Sequence, residues 1–208
     1  MSGWRTVGVL VLLYVMMMGV TRSARAEVIV DPDAFTPRQD ISNAYPGVTL
    51  SAVGDFSGHD GKVYSQPNSN ASTGSWSFGN SWWLTPSQWG SGWNEACFRA
   101  DFDIPASWVA IDAISNDSRD YAQLLAYDDS DVLLGSYQTA RLGTNQIDTM
   151  WVSSPGGDIS YILAGGINGD TLWLDNMRYT LVPEPSSSLL ILASALMVLH
   201  ARARRRAQ

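Results

Sequence analysis

The central part of the sequence predicts an all-β fold, an antiparallel sandwich or barrel. Two observations carry this prediction. Between Glu95 and Ile104 apolar residues occupy every second position, which is the pattern of a strand with one buried face. Similar short segments recur about every ten residues, separated by Gly, Asn, Asp, Pro and Ser clusters, as in sandwiches and barrels.

The strand-like segments extend through most of the chain. The predicted strands are 48–53, 62–66, 95–104, 108–114, 121–127, 132–139, 147–152, 159–164 and 171–181. The run 128–131 (Asp-Asp-Ser-Asp) predicts a hairpin turn between two of them, because Asp and Ser favour turns. The polar segment 66–75 is predicted to be a loop.

The N-terminus has the features of a secretory signal peptide. Trp4 and Arg5 precede an apolar run at 7–20, and Ala24 and Ala26 supply the small residues of an A-x-A cleavage site. We therefore predict a signal helix; the alternative is a permanent membrane anchor. The predicted domains are a signal peptide at 1–26, a β-sandwich domain at 27–181 and a C-terminal tail at 182–208.

The C-terminal tail combines a short polar motif, an apolar stretch and a basic end. The apolar run 189–201 contains 13 residues, including His200, whereas a spanning helix needs about 20. Arginines follow it, and arginines stop translocation. This order is typical of a sorting tail that is removed after a pause in the membrane. We predict a short hydrophobic helix and a transient membrane contact through residues 186–201.

The same segment resembles the PEP-CTERM sorting signal of exported proteins in Gram-negative bacteria that make exopolysaccharide. The residues that carry the resemblance are Val182, Pro183, Glu184, Pro185, Arg204, Arg205 and Arg206. It implies an exosortase as partner, export across the inner membrane, and a final place at the cell surface or in the extracellular matrix. The alternative is an ordinary single-span tail anchor.

The charge of the central domain limits its partners. Residues 27–181 contain 19 acidic and 6 basic residues, a net charge of −13. Nucleic acid is therefore not an expected partner, because phosphate binding needs basic clusters. The single cysteine, Cys97, allows no internal disulfide and is expected to be a buried thiol.

The two ends of the central domain carry a second resemblance. Phe35, Asp40-Ile41, the segment 45–50 and the segment 174–179 are similar to jelly-roll, galactose-binding-like domains. This resemblance implies a jelly-roll-like sandwich and a structural Ca²⁺, with Asp175 as the best-matched ligand and Asp33 and Asp40 as further candidates. The alternative is that these carboxylates are solvated or cap turns.

The segment 75–93 is rich in tryptophan among Ser, Gly, Asn and Gln. Tryptophan is flat and amphipathic, and sugar rings stack on indole. The sequence therefore predicts a carbohydrate-binding surface. Its candidate residues are Trp82, Trp83, Trp89 and Trp93, and exposure is favoured at Trp89 and Trp93 because they lie in a Gly-rich loop without alternation. The alternative is that these side chains fill the end of the core.

Catalysis is not predicted, because His59 is the only histidine of the central domain and no nucleophile or phosphate motif occurs. The predicted function is that of an exported, exosortase-processed surface or matrix protein that binds exopolysaccharide without catalysis. One alternative is a purely structural matrix or surface-layer protein. A more remote one is a glycan-active enzyme.

Overall fold

The computed structural model describes residues 26–54, 59–82, 88–90 and 96–182. Residues 26–182 belong to one compact unit, in which the described elements form antiparallel β-structure. The prediction of an antiparallel β-sandwich is confirmed. The predicted signal helix and C-terminal helix lie outside the described residues. No helix within the described ranges is long and apolar enough to cross a membrane.

Ten strands and one short 3-10 helix, Pro32–Ala34, occur within the described residues. The strands are β1 (Glu27–Val30), β2 (Val48–Val53), β3 (Tyr64–Pro67), β4 (Trp76–Gly79), β5 (Cys97–Ser115), β6 (Ala122–Tyr127), β7 (Leu133–Gln138), β8 (Ile147–Ser153), β9 (Ile159–Gly166) and β10 (Leu172–Leu181). Strands β1 and β4 were not predicted; each has four residues and is a strand through its pairing, β1 with β10 and β4 with β3 and β10. The predicted hairpin turn is present between β6 and β7.

Strand β5 is one long strand where the alternation predicted two. Phe98, Ala100 and Phe102 lie in the core before Pro105, whereas Val109 and Ile111 do so after it. The positions in the core cluster therefore change from even numbers, up to Ala106, to the odd numbers 109–113, and the pairing with β9 shifts between Asp101 and Ala106. A bulge at the proline explains this change, because proline cannot donate to the ladder.

The two halves of β5 belong to two layers. In the first layer, β10 pairs on one side with β1 and β4 and on the other with the second half of β5, which also pairs with β8. In the second layer, β2 and β9 flank the first half of β5, and β6 and β7 follow β9. Strand β5 thus joins both layers of the sandwich.

The core lies between the layers. On β8, Met150 and Val152 are buried in it, while their neighbours Thr149 and Trp151 are exposed. On β10, Met177 and Tyr179 are buried in the core, with Arg178 between them on the opposite face. Strands β8 and β10 therefore give the first layer an outer face that points away from the core.

Candidate functional site

The two described tryptophans of the predicted carbohydrate-binding surface, Trp82 and Trp89, differ in exposure. Trp82 follows β4, and its side chain is 53% exposed. Trp89 is 0% exposed and belongs to the hydrophobic core. Trp83 and Trp93 lie outside the described residues. The expectation of an exposed, sugar-stacking Trp89 is therefore wrong, and Trp82 is the predicted residue that the structure places at the surface.

Trp89 is held in the core by backbone and side-chain contacts. Its backbone N–H donates to the Leu172 carbonyl over 2.7 Å, and its carbonyl accepts from the Leu172 N–H over 3.1 Å. Its indole Nε1 donates to the Phe78 carbonyl over 2.8 Å. The ring meets that of Phe98 edge-on, with centroids 5.3 Å apart. The glycines around Trp89 indicated an exposed loop, but its two backbone hydrogen bonds with Leu172 of β10 place the residue in the core.

A second exposed tryptophan lies on a strand, outside the tryptophan-rich segment in which the sequence predicted a carbohydrate-binding surface. Trp151 on β8 is 51% exposed. Its signal is present in the sequence, because the alternation that buries Met150 and Val152 places Trp151 on the other face. The ring of Tyr137 lies beside it, at a centroid distance of 6.5 Å.

The outer face around Trp151 has a polar centre at Asp112, which is largely buried. Asp112 Oδ1 accepts from Thr149 Oγ1 at 2.7 Å and lies 3.3 Å from Arg178 Nη2. Asp112 Oδ2 accepts from Asn176 Nδ2 at 3.0 Å and lies 2.8 Å from Ser72 Oγ. Four polar side chains thus fix this carboxylate.

The predicted metal ligand Asp175 is fully buried beneath the loop that contains Ser72 and Thr73. Its Oδ2 accepts from the backbone N–H groups of Ser72 at 2.9 Å and Thr73 at 3.0 Å, and its Oδ1 accepts from the Asn176 N–H at 2.8 Å. Burial raises the pKa of Asp175 to about 6, with a contribution from the negative charge of Asp31, while these hydrogen bonds lower it.

Asp33 lies under the same loop. Its Oδ1 accepts from the Ser75 N–H at 2.8 Å, and its Oδ2 is a buried atom without a hydrogen-bond partner. Burial and the neighbouring Asp31 raise the pKa of Asp33. The loop approaches so closely that a Cβ at Gly74, whose φ is +49°, would lie 2.2 Å from Asp33 Oδ1. An unpartnered acceptor beside a second carboxylate is a position that a cation would stabilise.

The third predicted metal ligand, Asp40, contacts Lys62 and Ser42. It forms an ion pair with Lys62 at 2.8 Å and accepts from the Ser42 N–H at 3.0 Å. Burial raises its pKa, but the hydrogen bonds from Lys62 and Ser42 outweigh burial, so the pKa is lowered. Of the three predicted ligands, the loop therefore covers Asp33 and Asp175 and not Asp40. In the ranges that the structure describes, no group of three or more His, Cys, Asp or Glu side chains is arranged to hold a metal ion.

Val182, the first residue of the predicted sorting motif, is the last described residue. Its N–H donates to the Pro105 carbonyl over 3.1 Å, and its side chain packs against Gly157. The other motif residues, Pro183, Glu184, Pro185 and Arg204 to Arg206, lie outside the described residues, as does Ala24 of the predicted cleavage site. Ala26 is the first described residue, and β1 begins directly after it.

Comparison with known proteins identifies the tail. The model of the PEP-CTERM protein-sorting motif matches residues 181–206, which confirms the resemblance of this segment. The chain thus carries the tail of an exosortase-processed surface protein, and this signal indicates export and cell-surface sorting in Gram-negative bacteria. No curated protein sequence matches the chain.

Three solved structures are similar to the folded unit. The K2 cleaved adhesin domain of Lys-gingipain matches with 13% identity and a TM-score of 0.41 over 75% of this chain and 100% of that one. TmCBM61, solved with β-1,4-galactotriose, matches with 11% identity and a TM-score of 0.35 over 69% and 94%. A DUF4465 family protein from Bacteroides caccae matches with 12% identity and a TM-score of 0.33 over 78% and 96%.

Proposed function

We propose that this chain is an exported surface or extracellular-matrix protein whose folded domain binds exopolysaccharide without catalysing a reaction. The observation that carries the proposal is the exposure of Trp82, at 53%, directly after the buried polar residues Asn80 and Ser81. A half-exposed indole leaves a flat apolar surface in water, and tryptophan is enriched at binding interfaces because it combines an apolar ring with a polar N–H. The apolar face of a sugar ring fits it.

The chemistry of the thiol also favours binding over catalysis. Cys97 is the only cysteine. Burial raises the pKa of its thiol to about 12, although a backbone hydrogen bond with Ala164 lowers it. The nucleophilic form of cysteine is the thiolate, so this thiol is inert at neutral pH.

The carbohydrate proposal predicts that Trp82→Ala weakens binding to exopolysaccharide isolated from the producing cells. We expect a loss of about tenfold or more, because buried aromatic contacts commonly contribute about 2 kcal/mol to an interface. Affinity electrophoresis and calorimetry would measure it. Leu133→Ala is the matched control, because Leu133 is 50% exposed on the second layer. Failure of the parent protein to bind the polymer would instead support a purely structural matrix or surface-layer role.

The processing steps follow from the sorting motif. An exosortase recognises the Pro183–Pro185 element while residues 186–201 contact the membrane, and the tail is then removed. Cleavage of a signal peptide after Ala26 would leave the whole of β1 in the mature protein, because β1 begins at Glu27. That strand pairs with β10 along its full length, from Glu27 with Thr180 to Val30 with Met177.

A structural Ca²⁺ belongs to the same proposal. Asp33 Oδ2 is a buried oxygen without a hydrogen-bond partner. Besides burial, the negative charges of Asp31, Asp175 and Asp33 all raise the pKa of the Tyr45 hydroxyl, so the three carboxylates lie near the same point. Calcium takes six to eight oxygens, so backbone carbonyls or water would complete the set. Asp40 is not part of this site, because Lys62 already neutralises it.

The calcium proposal predicts that EGTA lowers the melting temperature and that added Ca²⁺ restores it. At a Ca²⁺ concentration about 100 times Kd the stabilisation is about 2.7 kcal/mol, which corresponds to roughly 5–10 °C for a domain of this size. Asp33→Asn is expected to remove this response, whereas Asp103→Asn, at an exposed strand position, is expected to keep it. An EGTA scan that superimposes on the Ca²⁺ scan would contradict the proposal.

A further inference from the structure

The outer face of the first layer brings side chains from three strands into regular rows. In one row Ala110 of β5 stands between Trp151 of β8 and Arg178 of β10. In the next row Asp112 stands between Thr149 and Asp175. Paired residues of an antiparallel sheet share a face, and neighbouring strands are about 4.8 Å apart. Trp151 and Arg178 therefore flank Ala110, which is itself 0% exposed, at a backbone separation of about 10 Å. We call this surface the β8 face.

The edge strand of the β8 face exposes apolar groups among hydroxyls. Its outward positions are Ile147, Thr149, Trp151 and Ser153, all of them exposed. An exposed strand with large apolar side chains is a risk for aggregation, so natural proteins retain such a surface where it serves a contact. On this face an apolar side chain (Ile147 or Trp151) alternates with a hydroxyl, and successive positions lie about 6.8 Å apart along the strand. This spacing suits a ligand with apolar faces and hydroxyl edges.

Arg178 has hydrogen-bonding capacity that the protein does not use. Its Nη2 makes one contact, at 3.3 Å to Asp112, and its Nε is buried without a partner. A guanidinium carries five N–H donors. The side chain retains 26% exposure, so a ligand can reach part of the group.

The charges indicate a neutral ligand. Asp112 neutralises Arg178, which leaves the centre of the β8 face without excess positive charge. Residues 27–181 carry a net charge of −13, which repels an anionic polymer at long range. A neutral sugar hydroxyl can accept from Arg178 and bond to Thr149 without a charge penalty, whereas a uronate would meet Asp112.

We propose that the β8 face binds a neutral carbohydrate chain, with Trp151 stacking on a sugar ring and Arg178 and Thr149 bonding to its hydroxyls. This inference rests on the proposed function, because it names a surface and a ligand class for the same kind of binding. Its proposed contact residues do not include Trp82, which lies in the segment that follows β4 in the chain.

The test uses the neutral and acidic fractions of exopolysaccharide from the producing cells. We expect Trp151→Ala to weaken binding of the neutral fraction about tenfold or more, and Trp151→Phe to restore most of it because the flat ring returns. Arg178→Lys is expected to weaken binding by a smaller factor, because lysine keeps the charge but loses the planar donor set. Leu133→Ala is the exposed control, and each variant's melting temperature must match that of the parent.

The outcomes separate this inference from the proposed function. If Trp82→Ala abolishes binding and Trp151→Ala leaves it unchanged, the proposal that the β8 face binds carbohydrate is overturned, while the proposal that the domain binds carbohydrate stands. Binding of the acidic fraction alone would also overturn the inference, since it contradicts the stated ligand class. If the parent protein binds neither fraction, the proposed function and the inference fail together.

Discussion

Trp89→Ala is expected to lower the free energy of unfolding by about 3–5 kcal/mol, the usual cost of removing a large aromatic side chain from a core. The side chain is 0% exposed, and its loss leaves a cavity beside Phe98. It also deprives the buried Phe78 carbonyl of the indole donor. Urea denaturation of the folded domain, followed by circular dichroism, would measure the loss.

The matched control is Trp82→Ala, which removes the same side chain at the surface. We expect it to change the free energy of unfolding by less than about 1 kcal/mol, because Trp82 is 53% exposed. The pair therefore separates stability from carbohydrate binding within one segment of the chain. Equal losses in the two variants would contradict the placement of these tryptophans.

The second large effect is expected from pH. With EGTA present, the stability of the domain should fall as the pH rises from about 4 to about 6. Burial raises the pKa of Asp175 to about 6 from the ordinary 3.8, so the folded state holds this proton more tightly than the unfolded state. Stability falls with pH wherever the folded state binds more protons. The expected loss is about 3 kcal/mol, since each tenfold change in proton affinity corresponds to about 1.4 kcal/mol.

The groups around Asp175 fix the design of that experiment. Asp175 lies near the charged and polar groups of Asp31, Asp112, Ser72 and the Tyr45 hydroxyl. Asp40 has a lowered pKa and contributes in the opposite direction below about pH 4, so the comparison belongs above that value. Asp175→Asn removes this titrating group and is expected to reduce the slope between pH 4 and 6 to the part that Asp33, whose pKa is also raised, contributes. A profile of Asp175→Asn with the parent's slope would assign the effect to another group.

The strands were predictable because alternation is a local property. Segments such as β2 and β8 show one buried and one exposed face in their own sequence, and their observed bounds are close to the predicted ones. The exposure of Trp151 follows from the same alternation. By contrast, β1 was not predicted, because its four residues are a strand only through their pairing with β10 at the other end of the chain.

The candidate sites were only partly predictable, because burial depends on distant partners. The local sequence of Trp89, rich in glycine, favoured exposure, but the bridge that buries it comes from Leu172 on β10. Asp175 was predicted as a ligand, but its cover by the loop at Ser72 and the effect of the Asp31 charge depend on residues more than a hundred positions away.

The sequence by itself determined the all-β character, the acidic surface and the sorting tail, since alternation, charge and a contiguous motif are all local features. The tertiary structure decided which tryptophans meet water, which carboxylates share a loop, and that β5 joins both layers through Pro105. The physical reason is that burial and electrostatic environment arise from contacts between distant segments, which form only when the strands pair.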